Sequence, residues 1–244
     1  MGNYLSNHVL RNSKRACFDY SMIDKDDRIL ACFSGGKDSF ALICALDMLN
    51  KKIKDKFYFK ILCIDPGFDK DFSINIDKVL SGIGFDYEII KSNIKGIILE
   101  QDKNGKLNRC FMCSRLRRGI IYDYAVKFGF NTVALGHNLD DAIENTLLNT
   151  FFSYKTSFMK PKYYADKYPI KIIRPLIYIE EQQIEKYVKL INYLPIKNNC
   201  PLKTDDSKRL FFKNMITQLK KNHPKVTESA MNSFKNIVEI NKWN

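Results

Sequence analysis

The stretch 29-ILACFSGGKDSFALICAL-46 decides the fold. An apolar run stops at Ser34-Gly35-Gly36-Lys37-Asp38-Ser39 and resumes with Leu42, Ile43, Leu46 and Leu49 on one helical stripe, so a buried strand turns sharply into a core-facing helix. The two glycines let backbone N–H groups converge, and the following helix N-terminus adds partial positive charge. Lys37 supplies a full charge, and Ser34 and Ser39 supply hydroxyl donors. Such a nest is built for phosphate. The four-residue spacer of the Walker A pattern is missing, which sets this turn apart from the P-loops.

Outward from this turn, short apolar runs alternate with helical segments. Strands are predicted at 28–33, 57–64, 85–90, 132–135 and 170–174, and helices at 38–50, 70–81, 113–128, 139–152 and 180–191. That alternation indicates an α/β fold, a parallel sheet with helices on both faces. Residues 1–27 read as a basic, partly helical lead-in, 28–199 as the main domain, and 200–244 as a small extension of two helices packed on it, split by Pro224. Two loops interrupt the pattern. One, at 100–112, carries two cysteines, and the other, at 153–169, is basic with interleaved tyrosines.

The chain has 244 residues, with 40 Lys+Arg against 27 Asp+Glu, a net charge of +13 that suits a polyanionic partner. Seven cysteines, an odd number without regular spacing, argue against a disulfide framework and for a reducing compartment. No secretory segment and no apolar run of membrane-spanning length is apparent, so a cytoplasmic location without membrane association is expected.

Three further motifs carry chemistry. The second strand ends 62-LCIDPGF-68, which taken alone is only a strand end. In 109-RCFMCSRLRRG-119 a C-x2-C pair brings two thiolates together within one turn, suited to a metal or cluster, with a redox dithiol as the rival reading. Arg115, Arg117 and Arg118 beside it suit nucleotide or RNA phosphates, or a solvated helix face. In 133-VALGHNLDDAIENTLLN-149 a strand turns into a helix through Gly136-His137-Asn138, and Asp140 and Asp141 fall in the first helical turn, where acidic side chains cap.

SGGKDS matches the PP-loop of the N-type ATP pyrophosphatases, and together with C-x2-C-S-R-L-R-R-G, G-H-N-L-D-D and the later Cys200 the chain resembles the tRNA 2-thiocytidine synthetase family. The resemblance runs from about residue 25 to 220 and implies an adenine nucleotide alpha hydrolase-like fold. It implies ATP, with Mg2+, held by Ser34, Gly35, Gly36, Lys37, Asp38, Ser39, the backbone of Ile64, Gly136 and Asp140, with Asp140 and Lys37 serving the reacting centre. It also implies a [4Fe–4S] cluster on Cys110, Cys113 and Cys200, the open iron taking sulfur from sulfide or a cysteine desulfurase. The expected reaction adenylates the 2-oxo group of a tRNA base, most simply cytidine, and replaces its oxygen by sulfur.

Arg115, Arg117, Arg118, Lys160 and Lys162 are expected to hold tRNA, and Tyr154, Tyr163 and Tyr164 are candidates to stack on a base or to pack under the loop. A homodimer is an open expectation. Cys32, Cys44 and Cys63 read as small hydrophobes in core runs, and Cys17 as incidental. One departure stands out: where the thiocytidine enzymes carry a further cysteine three residues after the third ligand, this chain has Lys203, which leaves the tRNA position open. A zinc site on the same thiols, a lysidine-type ligase, a small-molecule adenylating enzyme and a non-catalytic binding module remain the competing readings.

Overall fold

The central strands are nearly continuous apolar runs whose successive side chains point to opposite faces of the sheet, which divides the interior into two cores. In this computed structural model, which describes residues 2–53, 57–105, 107–153, 157–197, 200–201 and 207–240, the chain begins with α1 (Gly2–Asp19), β1 (Arg28–Phe33), α2 (Lys37–Lys52), β2 (Tyr58–Asp65) and α3 (Phe72–Leu80). There follow β3 (Tyr87–Lys91), α4 (Ile94–Gln101), α5 (Arg109–Lys127), β4 (Thr132–Ala134), α6 (Leu139–Phe152), β5 (Lys162–Tyr164) and β6 (Lys171–Ile173). The chain continues through α7 (Glu181–Leu190), α8 (Ser207–Asn222) and α9 (Val226–Ile240).

The strands form one sheet in the order β3-β2-β1-β4-β6-β5, parallel except for β5, which pairs antiparallel with β6. Ile29, Ala31 and Phe33 of β1, with Phe59, Ile61 and Cys63 of β2, face one core. That core also holds Leu42 and Leu46 of α2, Ile76 and Leu80 of α3, and Ile184 and Val188 of α7. Leu30, Leu62, Ile64, Val133 and Ile172 face the opposite core, closed by Ile94 and Ile98 of α4 and Tyr122 and Ala125 of α5. Each Leu or Ile so buried contributes about 1.5–3 kcal/mol, and the predicted stripe Leu42, Ile43, Leu46 and Leu49 is wholly interior.

The expected α/β sheet and its order of elements are present, with three differences. The lead-in is a full helix, α1, whose Leu5, Val9 and Ala16 belong to the first core, because these apolar residues recur at helical spacing in an otherwise polar segment. The loop at 100–112 is shortened from both sides by α4 and by α5, which starts at Arg109. The basic loop at 153–169 contains β5, whose register of Tyr163 with Ile172 is set by a partner across a hairpin.

Strand order reverses between β1 and β4, and the chain leaves these two neighbours through the Ser34–Gly36 turn and the Leu135–Asn138 turn. Ligands of open α/β sheets bind at the carboxyl ends of strands on either side of such a switch.

Candidate active site

The turn after β1 is held open by its own hydroxyls and by a distant segment. Ser39 Oγ donates to the Gly36 carbonyl at 2.9 Å and accepts from the Ser34 amide at 3.1 Å, while Ser34 Oγ lies 3.2 Å away. Gly35 has φ of +78°, a conformation that a side chain disfavours. Its carbonyl accepts from Tyr193 Oη at 2.7 Å and from the Ile196 amide at 2.9 Å, and the Tyr193 ring stacks on Phe40 with centroids 3.7 Å apart.

The second turn presses against the first at Gly136. A Cβ there would stand 3.0 Å from the Asp38 carbonyl oxygen and 3.1 Å from the Ser39 amide nitrogen, so any side chain would have to push the two turns apart by a few tenths of an ångström. Asn138 caps α6 in a reciprocal box with Asp141, and its Nδ2 donates to Asp38 Oδ1 at 3.1 Å, tying the two turns together. Between them lies a cavity of about 310 Å³ lined by Ser34, Asp38, Ser39, Ile64, Gly136 and His137, among others. The size suits the reacting end of a nucleotide.

A second cavity, of about 800 Å³, lies beside it. Asn108 caps α5 by accepting from the Phe111 amide at 3.0 Å, and the helix so started carries Cys110 and Cys113 in its first turns. Both line this cavity, and so does Cys200, which sequence separation alone does not connect to them. Among the described residues no three Cys, His, Asp or Glu side chains converge closely enough to hold one metal ion. Three thiols on one cavity are donors that could hold either an iron–sulfur group or a zinc ion.

The two cavities share Arg117, Ile121, Leu135 and His137 as lining, so the phosphate turn and the thiols open toward each other. Burial and the nearby charges of Arg174, Arg209 and Arg118 push the His137 pKa down to about 3, so the ring is neutral near pH 7. Arg174 Nε donates to its Nδ1 at 3.3 Å. By contrast the core thiols Cys17, Cys32 and Cys63 are raised by burial to about 12, and Cys44 to about 11, which makes them poor nucleophiles and metal ligands.

Lys37 does not stand alone. Its Nζ lies 2.7 Å from Glu181 Oε1 and 3.1 Å from Asp38 Oδ2. Burial favours neutral Lys37, but the two carboxylates outweigh it and raise its pKa. Asp38 is raised by burial, only partly offset by Lys37 and Asn138. Glu181 also binds Lys213 of α8 at 2.8 Å.

Asp140 lies outside the lining of both cavities and is buried. One oxygen accepts from the Glu181 amide at 2.7 Å, capping α7, and the other pairs with Lys220. Asp141 and Glu144 pair with Arg209 at 2.7 and 2.9 Å. The acidic first turn of α6 therefore fastens α7 and α8 to the site, a role for Glu181 and Arg209 that sequence reading missed. Among the described residues lining the smaller cavity, Asp38 is the sole carboxylate available to a Mg2+ ion.

Of the cations expected to meet RNA, Arg115, Arg118 and Lys160 are exposed, while Lys162 is half-buried and donates to the Ser21 carbonyl. Tyr163 lines the larger cavity with Arg174 over its ring at 5.2 Å, and Tyr164 is exposed. Tyr154 and Lys203 fall outside the described residues. No helix among the described residues is long and apolar enough to cross a membrane.

Residues 5–199 match the model of the PP-loop domain family. The tRNA-cytidine(32) 2-sulfurtransferase of Pasteurella multocida is 35% identical over 241 residues, covering 97% of this chain and 75% of that protein. The enzyme of the same name from Shewanella denitrificans is 36% identical over 237 residues, covering 96% and 72%. Among solved structures, the U34-tRNA thiolase NcsA from Methanococcus maripaludis, with its [4Fe-4S] cluster, superposes with a TM-score of 0.81 at 22% identity, covering 97% of this chain and 80% of that one. That last likeness is one of fold.

Proposed function

Because the chain belongs to the tRNA-cytidine 2-sulfurtransferases of the PP-loop family, we propose that it replaces the 2-oxo oxygen of a tRNA cytidine by sulfur, using ATP to activate that oxygen. The observation that carries this reading is the junction of the two cavities, which share Arg117 and His137; it supports a base that meets both the phosphate turn and the three thiols.

In this reading the Ser34–Ser39 turn takes the ATP phosphates on its amides, on Lys37 and on the helix N-terminus. Asp38 supplies a carboxylate for Mg2+, and the carboxyl ends of β1, β2 and β4, Ile64 among them, flank the nucleoside. Gly136 lets the second turn close on the first. Neutral His137 offers no added charge to the site, so the cationic work falls to the arginines and Lys37.

Cys110, Cys113 and Cys200 would hold a [4Fe–4S] cluster, which when bound supplies an iron able to carry sulfide. The donor set supports this: three thiols line one cavity of about 800 Å³. Asp140 acts indirectly, by fixing Glu181 and α8. Arg115, Arg118 and Lys160 are left exposed to take phosphates of the tRNA backbone. We assign residues 28–199 to the nucleotide-binding domain, with the 200–244 extension contributing the third thiol and the clamp of α8.

The test is nucleoside mass spectrometry of tRNA from cells with and without the gene, paired with an assay of anaerobically reconstituted protein, tRNA, ATP and sulfide. Loss of 2-thiocytidine in cells and its ATP-dependent formation in vitro are expected. Unchanged thionucleosides in both arms would sink the proposal. Alanine at Cys110 that leaves both activity and iron content intact would remove the cluster from it.

A further inference from the structure

Five arginines line the larger cavity, and four of them are accounted for. Arg109 pairs with Asp102, Arg209 pairs with Asp141 and Glu144, and Arg174 donates to His137 and to the Lys160 carbonyl. Arg118 is exposed and meets water. Arg117 differs from all of these: it is largely covered, its Nε is buried without a hydrogen-bond acceptor, and no carboxylate pairs with it among the described residues. It is also the one cationic side chain among the described residues that lines both cavities.

A guanidinium N–H buried without an acceptor is costly, and the rest of this half-buried group faces the cavities. Its place between the phosphate turn and the thiols points to the α-phosphate of the nucleotide. The incoming γ- and β-phosphates have Lys37 and the turn amides, whereas the junction is where the α-phosphate and the base meet.

Resting on the adenylation reading above, we propose that Arg117 is a catalytic residue that binds the α-phosphate of the adenylated base and stabilises AMP as it departs. In the first step the 2-oxo oxygen bonds to the α-phosphorus, and the bond to pyrophosphate breaks with its electron pair. In the second, sulfide sulfur bonds to C2, the C2–O bond breaks, AMP leaves with that oxygen, and the sulfur's proton passes to solvent. The phosphate carries one negative charge in the adenylated base and two in AMP, so charge grows opposite Arg117 during the second step. A preorganised donor that meets growing charge lowers the barrier and not merely the binding energy.

Arg117→Met and Arg117→Lys are compared with the wild type in three measurements. Calorimetric affinities for AMP and adenosine isolate the α-phosphate: the AMP-to-adenosine ratio is expected to fall about tenfold in R117M and to recover partly in R117K. Single-turnover thiolation of tRNA is expected to fall about 100-fold in R117M, with partial rescue by added guanidinium. The melting temperature of ligand-free R117M should equal or exceed that of the wild type, because a buried donor without an acceptor has been removed. An unchanged AMP-to-adenosine ratio overturns the assignment, as does a lower melting temperature with no recovery of AMP binding in R117K, which would make Arg117 structural. Wild-type protein that binds AMP through Arg117 yet thiolates no tRNA would refute the proposed function and the catalytic role, and leave only the contact of Arg117 with the α-phosphate.

Discussion

Glu181 Oε1 lies 2.7 Å from Lys37 Nζ, so the cation of the phosphate turn is already engaged by a carboxylate from a helix 144 residues further along. A phosphate entering the turn would meet Lys37 in competition with Glu181, which also pairs with Lys213.

Replacing Glu181 by Gln removes the competing charge and one charge-assisted hydrogen bond, worth about 1.5–3 kcal/mol. The expected result is ATP bound several-fold tighter by calorimetry, together with a melting temperature a few degrees lower. Weaker ATP binding would mean that Glu181 positions Lys37 and does not compete for it.

Gly136→Ala drives a Cβ to 3.0 Å from the Asp38 carbonyl, where neither backbone can yield cheaply. A loss of about 1–3 kcal/mol in urea unfolding and a marked loss of ATP binding are expected. Gly119→Ala is the matched control. It lies within α5 with nothing within 4 Å of its added Cβ, and it should gain up to about 1 kcal/mol.

His137 predicts a pH dependence of stability. Its pKa is about 3 when folded, against an ordinary 6.5, so between these values the unfolded chain binds the extra proton. Stability therefore falls as pH drops from about 6.5 toward 3, with a slope from this group approaching about 1.4 kcal/mol per pH unit. His137→Asn should flatten that limb in denaturant titrations at pH 4 to 7, and identical slopes would show that the ring is not held neutral.

Arg209→Ala leaves Glu144, a buried carboxylate whose pKa burial already raises, without its cation. A destabilisation of about 2–3 kcal/mol is expected. The double variant with Glu144→Gln should recover much of it, since removing both charges avoids the unpaired one. Chemical denaturation of the four-member cycle reads the coupling.

How much of this was legible beforehand followed the range of the interactions involved. The strand–turn–helix at SGGKDS and the cap at Asn138 are made by neighbours in sequence, and their residue types announce them. β5 escaped because three residues, Lys162–Tyr164, are strand only by virtue of pairing with β6. α4 is eight residues with Gly96 inside it, too short and too interrupted to show a period. The placing of Cys200 on the same cavity as Cys110 and Cys113 was accessible through family resemblance and not through spacing. Glu181 gave no signal at all, because its partner Lys37 is fixed by how α7 docks and not by any pattern near either residue.

The hydrogen bonds from Tyr193 and Ile196 to the Gly35 carbonyl also bear on how the chain is made. A ribosome delivers Gly35 early and Tyr193 late, and closure of so long a loop comes only after most of the chain has emerged. The nascent protein thus carries its most recognisable motif unfinished through most of synthesis. A chain stopped before Tyr193 would display SGGKDS in full and still lack the contacts that set its backbone.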